Sequence, residues 1–229
     1  MQVSAIIVAA GSGNRLGGEV PKQFQLLRGK PILCHTLQVF EHCDLIENIV
    51  VVASEEWLGY VSQQMVDRFA ISKIKKVVTG GKQRQDSVFA GLQALKGEAE
   101  IVAVHDGVRP FITDDKLKEV IDAALKFGAA ILAVPPRDTI KIEKSGFVEK
   151  TPSRDKLWCV QTPQVFKFDL IYNAYVKAFE HGIYHTDDSA LVERLGWQVK
   201  IVEGEQENIK ITVPFDLKIA ESILSEREE

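Results

Sequence analysis

Short apolar runs rich in β-branched residues recur along the chain, separated by segments with helical periodicity, and this alternation limits the available folds more than any other feature. Residues 3–9, 49–53, 101–104, 131–134 and 199–202 are such runs, with 74–78 a weaker sixth. Unbroken apolar strands imply burial on both faces, as in parallel sheets. Between them, Leu117, Val120, Ile121, Ala124 and Leu125 follow the i, i+3, i+4, i+7, i+8 pattern, and Ile171, Ala174, Tyr175, Ala178 and Phe179 repeat it. Leu33, Leu37 and Phe40 form one further stripe, and Val88, Leu92 and Leu95 another. Pro31 and Pro214 sit where helices can begin, Thr113 and Thr186 suit N-caps, and Gly196 suits a stop. The expectation is a single α/β domain over residues 1–229, built on one mostly parallel sheet flanked by helices.

One segment departs from this rhythm. Over residues 137–154, Ile140 and Ile142 alternate with Lys141 and Glu143, Ser145-Gly146 supplies a turn, and Phe147-Val148 begins a return. This predicts a β-hairpin. A two-stranded hairpin alone is marginal in water, so its apolar side needs a partner, either this domain or a second subunit.

A length of 229 residues suits one large domain. A net charge of −4 argues against general binding to nucleic acid or anionic membranes. The charge is unevenly spread: residues 11–30 carry Arg15, Lys22, Arg28 and Lys30 against Glu19 alone. Cys34, Cys43 and Cys159 are odd in number and widely spaced, which points to buried, reduced thiols rather than a disulfide framework or zinc site. The apolar start lacks a positive leader and runs into Gly-Ser-Gly, so it reads as a first strand in a cytoplasmic protein. No apolar run is long enough to span a membrane.

The first strand leads into Ala9-Ala10-Gly11-Ser12-Gly13-Asn14-Arg15-Leu16-Gly17-Gly18. Glycines let backbone N–H groups approach an anion, and in open α/β sheets ligands bind off the carboxyl ends of strands. Neither common Gly-rich motif fits. A dinucleotide fingerprint needs Gly where Leu16 stands, and a Walker loop needs Lys-Ser/Thr where Glu19-Val20 stand. Arg15 and Pro21-Lys22-Gln23-Phe24 bring cations suited to phosphate oxygens. A purely structural turn with solvated surface cations is the competing reading, and Asp106 could serve only to cap the turn after its strand.

Six blocks decide between these readings. They are residues 9–15, Pro21-Lys22-Gln23-Phe24, Val104-His105-Asp106-Gly107-Val108-Arg109-Pro110-Phe111, Leu157-Trp158 with Gln161-Thr162-Pro163-Gln164, Thr186-Asp187-Asp188, and Asn208-Ile209-Lys210-Ile211-Thr212. In this order and across nearly the whole chain, they closely resemble the 2-C-methyl-D-erythritol 4-phosphate cytidylyltransferases of non-mevalonate isoprenoid biosynthesis. The resemblance implies a Rossmann-like nucleotidyltransferase domain that joins CTP to methylerythritol phosphate with Mg²⁺ and releases pyrophosphate. It implies that Arg15, Lys22 and Lys210 face the reacting phosphates. It also implies that Ala10, Gly11, Gly13, Gly80, Gly81, Ser87 and Asp106 surround the nucleotide, and that Arg109, Thr139, Arg154 and Thr186 meet the acceptor. Mg²⁺ would be held mainly by phosphates, with Asp106 a possible ligand. The 137–154 arm would cross into the other subunit of a homodimer, carrying Thr139 and Arg154 to the neighbour's site.

The chemistry suits these residue types. The nucleophile is a phosphate oxygen already ionised at neutral pH, so no Ser–His–Asp arrangement is needed, and none is evident. The task is to align an anion on a polyanion, which calls for cations. His105 reads as a packed strand-end histidine. Ribitol 5-phosphate as acceptor, a UTP- or GTP-dependent sugar-phosphate transferase, and a catalytically silent nucleotide-binding protein are the rival readings.

Overall fold

The computed structural model describes residues 2–11 and 20–228. In chain order its elements are β1 (Val3–Ala9), the short pair β2 (Leu26–Leu27) and β3 (Lys30–Pro31), α1 (Ile32–His42), β4 (Asn48–Ala53) and α2 (Leu58–Tyr60), which continues as wider turns over Val61–Arg68. Then come β5 (Ile74–Thr79), α3 (Arg84–Ala94), β6 (Ile101–Asp106), α4 (Asp114–Phe127) and β7 (Ala129–Val134). The hairpin β8 (Ile142–Lys144) and β9 (Phe147–Lys150) follows, then β10 (Cys159–Lys167), α5 (Phe168–Glu180), α6 (Ser189–Glu193), β11 (Lys200–Glu203) and α7 (Pro214–Glu228). Seven strands form the main sheet in the order β11-β7-β10-β6-β1-β4-β5. All its pairings are parallel except those of β10, which runs antiparallel to both β6 and β7.

The six apolar runs read from the sequence are all strands of this sheet. Their period of two divides each strand between two cores. Ala5 and Ile7 of β1, Ile49 and Val51 of β4, and Ile101 and Ala103 of β6 join the layer that packs α1 and α4. Ile6, Val50, Val52, Val102 and Val104 join the opposite layer with α3 and α5. Each such side chain taken fully out of water contributes about 1.5–3 kcal/mol. A third cluster joins α7 (Ala220, Ile223) to Leu27, Ile32, Val108, Phe111 and Ile211, and so seats the C-terminal segment against the turn after β6.

Three local expectations need correction. Strand β10 has no apolar signature, because its middle reads Gln161-Thr162-Pro163-Gln164. Its ladder to β7 shifts register between Val160 and Gln164, which accommodates a proline that cannot donate to the ladder. Thr186 is not an N-cap: α6 begins after Asp188, and the Asp187 carboxylate takes the Ala190 N–H at 2.9 Å. Thr113 does cap α4, accepting from the Lys116 N–H. Finally, Cys34 and Cys43 are buried, but Cys159 is exposed at the start of β10.

The hairpin forms as read, with Ser145 and Gly146 both at positive φ in its turn. It does not fold back on the domain: residues 141–150 are all exposed, Phe147 at 79% and Val148 at 63%.

Candidate active site

Strand order reverses direction about β1. The chain goes from β1 to β4 and β5 on one side, then crosses to β6 on the other. The carboxyl ends of β1 and β6 flank this switch point, where open α/β sheets place their ligands. A cavity of about 480 Å³ opens there, lined by Ala10 and Gly11 after β1, Lys22, Gly81 and Ser87, and Asp106 and Lys210. That volume lies in the usual range for small-molecule sites. Residues from positions 10 to 210 therefore converge on one space, as the motif blocks imply. Gly13 and Arg15 lie outside the described residues.

Each wall has a local cause. Gln23, 1% exposed, donates through Nε2 to the Ala9 carbonyl at 2.7 Å and the Gly11 carbonyl at 2.9 Å, tying the strand end to the 22–24 turn. Phe24, the next residue, is buried and stacks on Trp57 at 4.4 Å between ring centroids. Lys22 is thus attached to a backbone anchored on both counts. Opposite, Gly80 donates its N–H to the Ala53 carbonyl at 2.8 Å. A Cβ on Gly80 would lie 2.4 Å from the Ala10 Cβ and 2.7 Å from the Ser87 Oγ. Only glycine lets these two loops approach so closely. Ser87 Oγ receives the Gly81 N–H at 3.2 Å, and Asp86 takes the Gln83 N–H at 2.9 Å, fixing the first turn of α3.

The floor is electrostatic. Asp106, 6% exposed at the end of β6, faces three cations. Lys210 Nζ lies 2.8 Å from Oδ2, Arg84 Nε 3.1 Å from Oδ1 and Arg109 Nε 3.6 Å from Oδ2. Burial alone would raise the Asp106 pKa. The charges of Arg84, Lys210 and Arg109 outweigh it and hold the carboxyl well below the usual range. Arg84 reaches further, with Nη1 and Nη2 each 2.9 Å from an oxygen of Asp188. Asp188, 1% exposed, also accepts from the Tyr175 hydroxyl. Burial and the Asp188 charge push the Tyr175 phenol well above its ordinary value, so it remains a donor. Burial acts to lower the Arg84 pKa, but Asp188 and Asp106 raise it above the ordinary arginine value. His105 is fully buried, and burial lowers it to about 4. It is neutral, with Nε2–H donating to the Arg109 carbonyl at 3.0 Å, and it packs on Phe40.

A second cavity of about 270 Å³ shares Arg84, Asp106 and Lys210 with the first, and adds Arg109, Thr186 and Asp187. Its back wall is β10. Thr162 Oγ1 accepts the Asp106 N–H at 3.1 Å, and Gln164 donates to Asp187 at 2.6 Å. Arg109 Nη1 donates to the Asn208 carbonyl at 2.8 Å, and Asn208 Nδ2 to the Thr162 carbonyl at 2.9 Å, so the segment carrying Lys210 is tied to the same strand. Thr139 and Arg154 line neither cavity. Both are exposed at the base of the arm, where Arg154 Nη1 donates to the Arg137 carbonyl at 3.0 Å.

Sequence reading gave no role to Gln23, Arg84 or Asp188. Gln23 and Asp188 stand inside motif blocks, but Arg84 does not, and its partners lie 22 and 104 residues away, which no local pattern reveals. Among the described residues no group of three or more His, Cys, Asp or Glu side chains could hold a metal. Among the described residues Asp106 is the one carboxylate lining the larger cavity, and both its oxygens already face cations. That donor set suits Mg²⁺ carried by phosphates and water better than a protein-built metal cage.

Residues 3–226 match the family model for 2-C-methyl-D-erythritol 4-phosphate cytidylyltransferase. The chain is 45% identical over 226 residues to the protein of that name from Geotalea uraniireducens, covering 98% of this chain and 97% of the relative. It is 46% identical over 228 residues to the one from Halalkalibacterium halodurans, covering 100% and 99%. The crystal structure of 4-diphosphocytidyl-2C-methyl-D-erythritol synthase from Anaerococcus prevotii superposes with a TM-score of 0.87 at 35% identity, covering 98% and 96%. That of the cytidylyltransferase from Thermus thermophilus gives 0.80 at 31%, covering 98% and 100%.

Proposed function

The chain belongs to the 2-C-methyl-D-erythritol 4-phosphate cytidylyltransferase family, and from that premise we propose that it transfers the cytidylyl group of CTP to 2-C-methyl-D-erythritol 4-phosphate. The observation that carries this reading is the pair of cavities meeting at Asp106 and Lys210, one large enough for a nucleotide and one for a small phosphate. CTP occupies the larger, its triphosphate toward Lys22 and Lys210 and its cytidine toward Gly80, Gly81 and Ser87. The acceptor occupies the smaller, near Arg109 and Thr186. An acceptor phosphate oxygen attacks the α-phosphorus of CTP, the bond to the β-phosphate oxygen breaks, and pyrophosphate leaves.

In this reading Lys210 exchanges its contact with Asp106 for phosphate oxygens as the nucleotide enters. Lys22, on its anchored turn, meets the same charge from the other side. Arg15 is assigned to the triphosphate by family resemblance. These cations act by position and charge, stabilising the negative charge that builds on the transferring and leaving phosphates. Mg²⁺, when bound, supplies further neutralisation of the triphosphate. Nothing in the chemistry asks for a general base.

The arm completes the assembly. Its apolar side chains (Ile140, Ile142, Phe147 and Val148) are exposed among the described residues, and a free hairpin of this length is marginal. A second copy supplies the cover, and Thr139 and Arg154 then serve the neighbour's acceptor subsite. The described residues contain no helix long and apolar enough to cross a membrane.

The test is pyrophosphate release with Mg²⁺. Each of the four nucleoside triphosphates is paired in turn with methylerythritol phosphate and with ribitol 5-phosphate. The reading expects strong turnover only with CTP and methylerythritol phosphate. Preference for ribitol 5-phosphate would move the chain to a different acceptor, and CTP binding without turnover would make it a silent binding protein.

A further inference from the structure

Arg84 has an arrangement that a simple phosphate-binding cation would not need. It is the first residue of α3 and lines both cavities. Its two terminal nitrogens are nevertheless turned away from open space and forked onto Asp188, each at 2.9 Å. Only Nε faces the floor of the site, 3.1 Å from Asp106 Oδ1. Asp188 is itself immobilised. Tyr175 donates to it from α5, and the N–H groups of Asp188 and Ser189 are held by Gln164 Oε1 of β10 at 3.2 and 2.9 Å. Asp188 lines neither cavity. A planar guanidinium forked on a fixed carboxylate has little freedom left.

Charge points the same way. Arg84, Arg109 and Lys210 bring three positive charges, and Asp106 and Asp188 two negative ones. In net charge Asp188 offsets Arg84, so Arg109 and Lys210 remain as two cations against the single Asp106 carboxylate. Its Oδ1 is pinned by Arg84 Nε, which orients Oδ2 toward Lys210 at 2.8 Å.

We propose that Arg84 is a positioning residue: held from behind by Asp188 and Tyr175, it fixes the rotation of Asp106 and thereby the place of Lys210 where the two subsites meet. It acts through Asp106 and not by gripping substrate. The proposal rests on the cytidylyltransferase reading above.

A double-mutant cycle on turnover tests this. Arg84→Lys keeps the charge but cannot fork onto Asp188 while reaching Asp106. Asp188→Asn is a near-isosteric change outside both cavities. Either should lower kcat on the order of 10- to 100-fold, with KM for CTP changed by less than about threefold. The signature is non-additivity: in an Asp106→Asn background, Arg84→Lys should cost less than about threefold more. If Arg84→Lys fails to fold, Asp188→Asn alone closes the same cycle. Losses that multiply across the two sites, a KM for CTP raised in parallel with lost kcat, or unchanged kcat would each overturn the assignment while the wild type stays active. A wild type silent with CTP and methylerythritol phosphate would overturn the functional reading and this assignment together.

Discussion

His105 and Asp106 stand side by side at the end of β6 and meet opposite fates. Asp106 is kept charged by the cations around it, whereas burial lowers the pKa of His105, packed on Phe40, to about 4 and so keeps it neutral near pH 7. Because the folded value of His105 lies below its ordinary 6.5, the unfolded chain takes up a proton that the folded chain refuses between those two pH values. Stability therefore falls as pH drops from 6.5 toward 4, by up to about 3 kcal/mol from this residue. Asp106 acts lower down: its contribution is present above the ordinary Asp value and is lost as pH falls through its depressed folded value. His105→Gln, which can still donate to the Arg109 carbonyl, should flatten the loss of thermal midpoint between pH 7 and 4.5. An unchanged slope would show that His105 does not govern it. At this scale the sequence was informative about which residue types converge and silent about who holds them. Lys22, Asp106 and Lys210 stand in recognisable blocks and line one cavity together with Ser87, which the resemblance implied. Asp188 of the buried fork stands in a block too, but its pairing with Arg84 spans 104 residues and depends wholly on the fold.

Elements carry the same division. Strands buried on both faces advertise themselves by composition, so β1, β4, β6 and β7 could be read directly, and the edge strands β5 and β11, though largely exposed or half-buried, kept enough apolar residues to be read too. Strand β10 could not. Its inward side chains are polar because they do structural work for the site: Gln161 donates to the Glu205 carbonyl, Thr162 accepts from Asp106, and Gln164 serves both Asp187 and Asp188. A polar core strand is stable only when each such group finds a partner, and a lone sequence does not show partners. The 80–81 loop gives a prediction at this scale. Gly80→Ala would set a methyl 2.4 Å from the Ala10 Cβ and force the β1 and β5 loops apart. Calorimetry should show CTP affinity reduced on the order of tenfold, because overpacking of 1–3 kcal/mol falls on the nucleotide-binding wall. Unchanged affinity would mean that the close approach of these loops has no part in binding. The arm is the other element with an outcome of its own. If its apolar tip is covered by a second copy, Phe147→Asp should move the protein from dimer to monomer in sedimentation at micromolar concentration. A wild type already monomeric there would rule out the arm exchange.

Over the whole molecule, an acidic chain of net charge −4 gathers cations at one place. The sheet puts the ends of β1 and β6 side by side, α7 seats the segment around Lys210 against the turn after β6, and the 22–24 turn is locked by Gln23. Lys22 and Lys210, 188 residues apart in sequence by their numbering, thus line one cavity with Asp106 beneath Lys210. This convergence is the core of the account, since the proposed reaction needs little from the protein beyond alignment and positive charge. The most direct test is single-turnover pyrophosphate release from CTP and methylerythritol phosphate by the wild type, Lys22→Ala and Lys210→Ala. Each substitution is expected to slow the chemical step by 10²-fold or more, on the order of 3 kcal/mol, with the fold intact by circular dichroism. Near-normal rates in either variant would contradict the account.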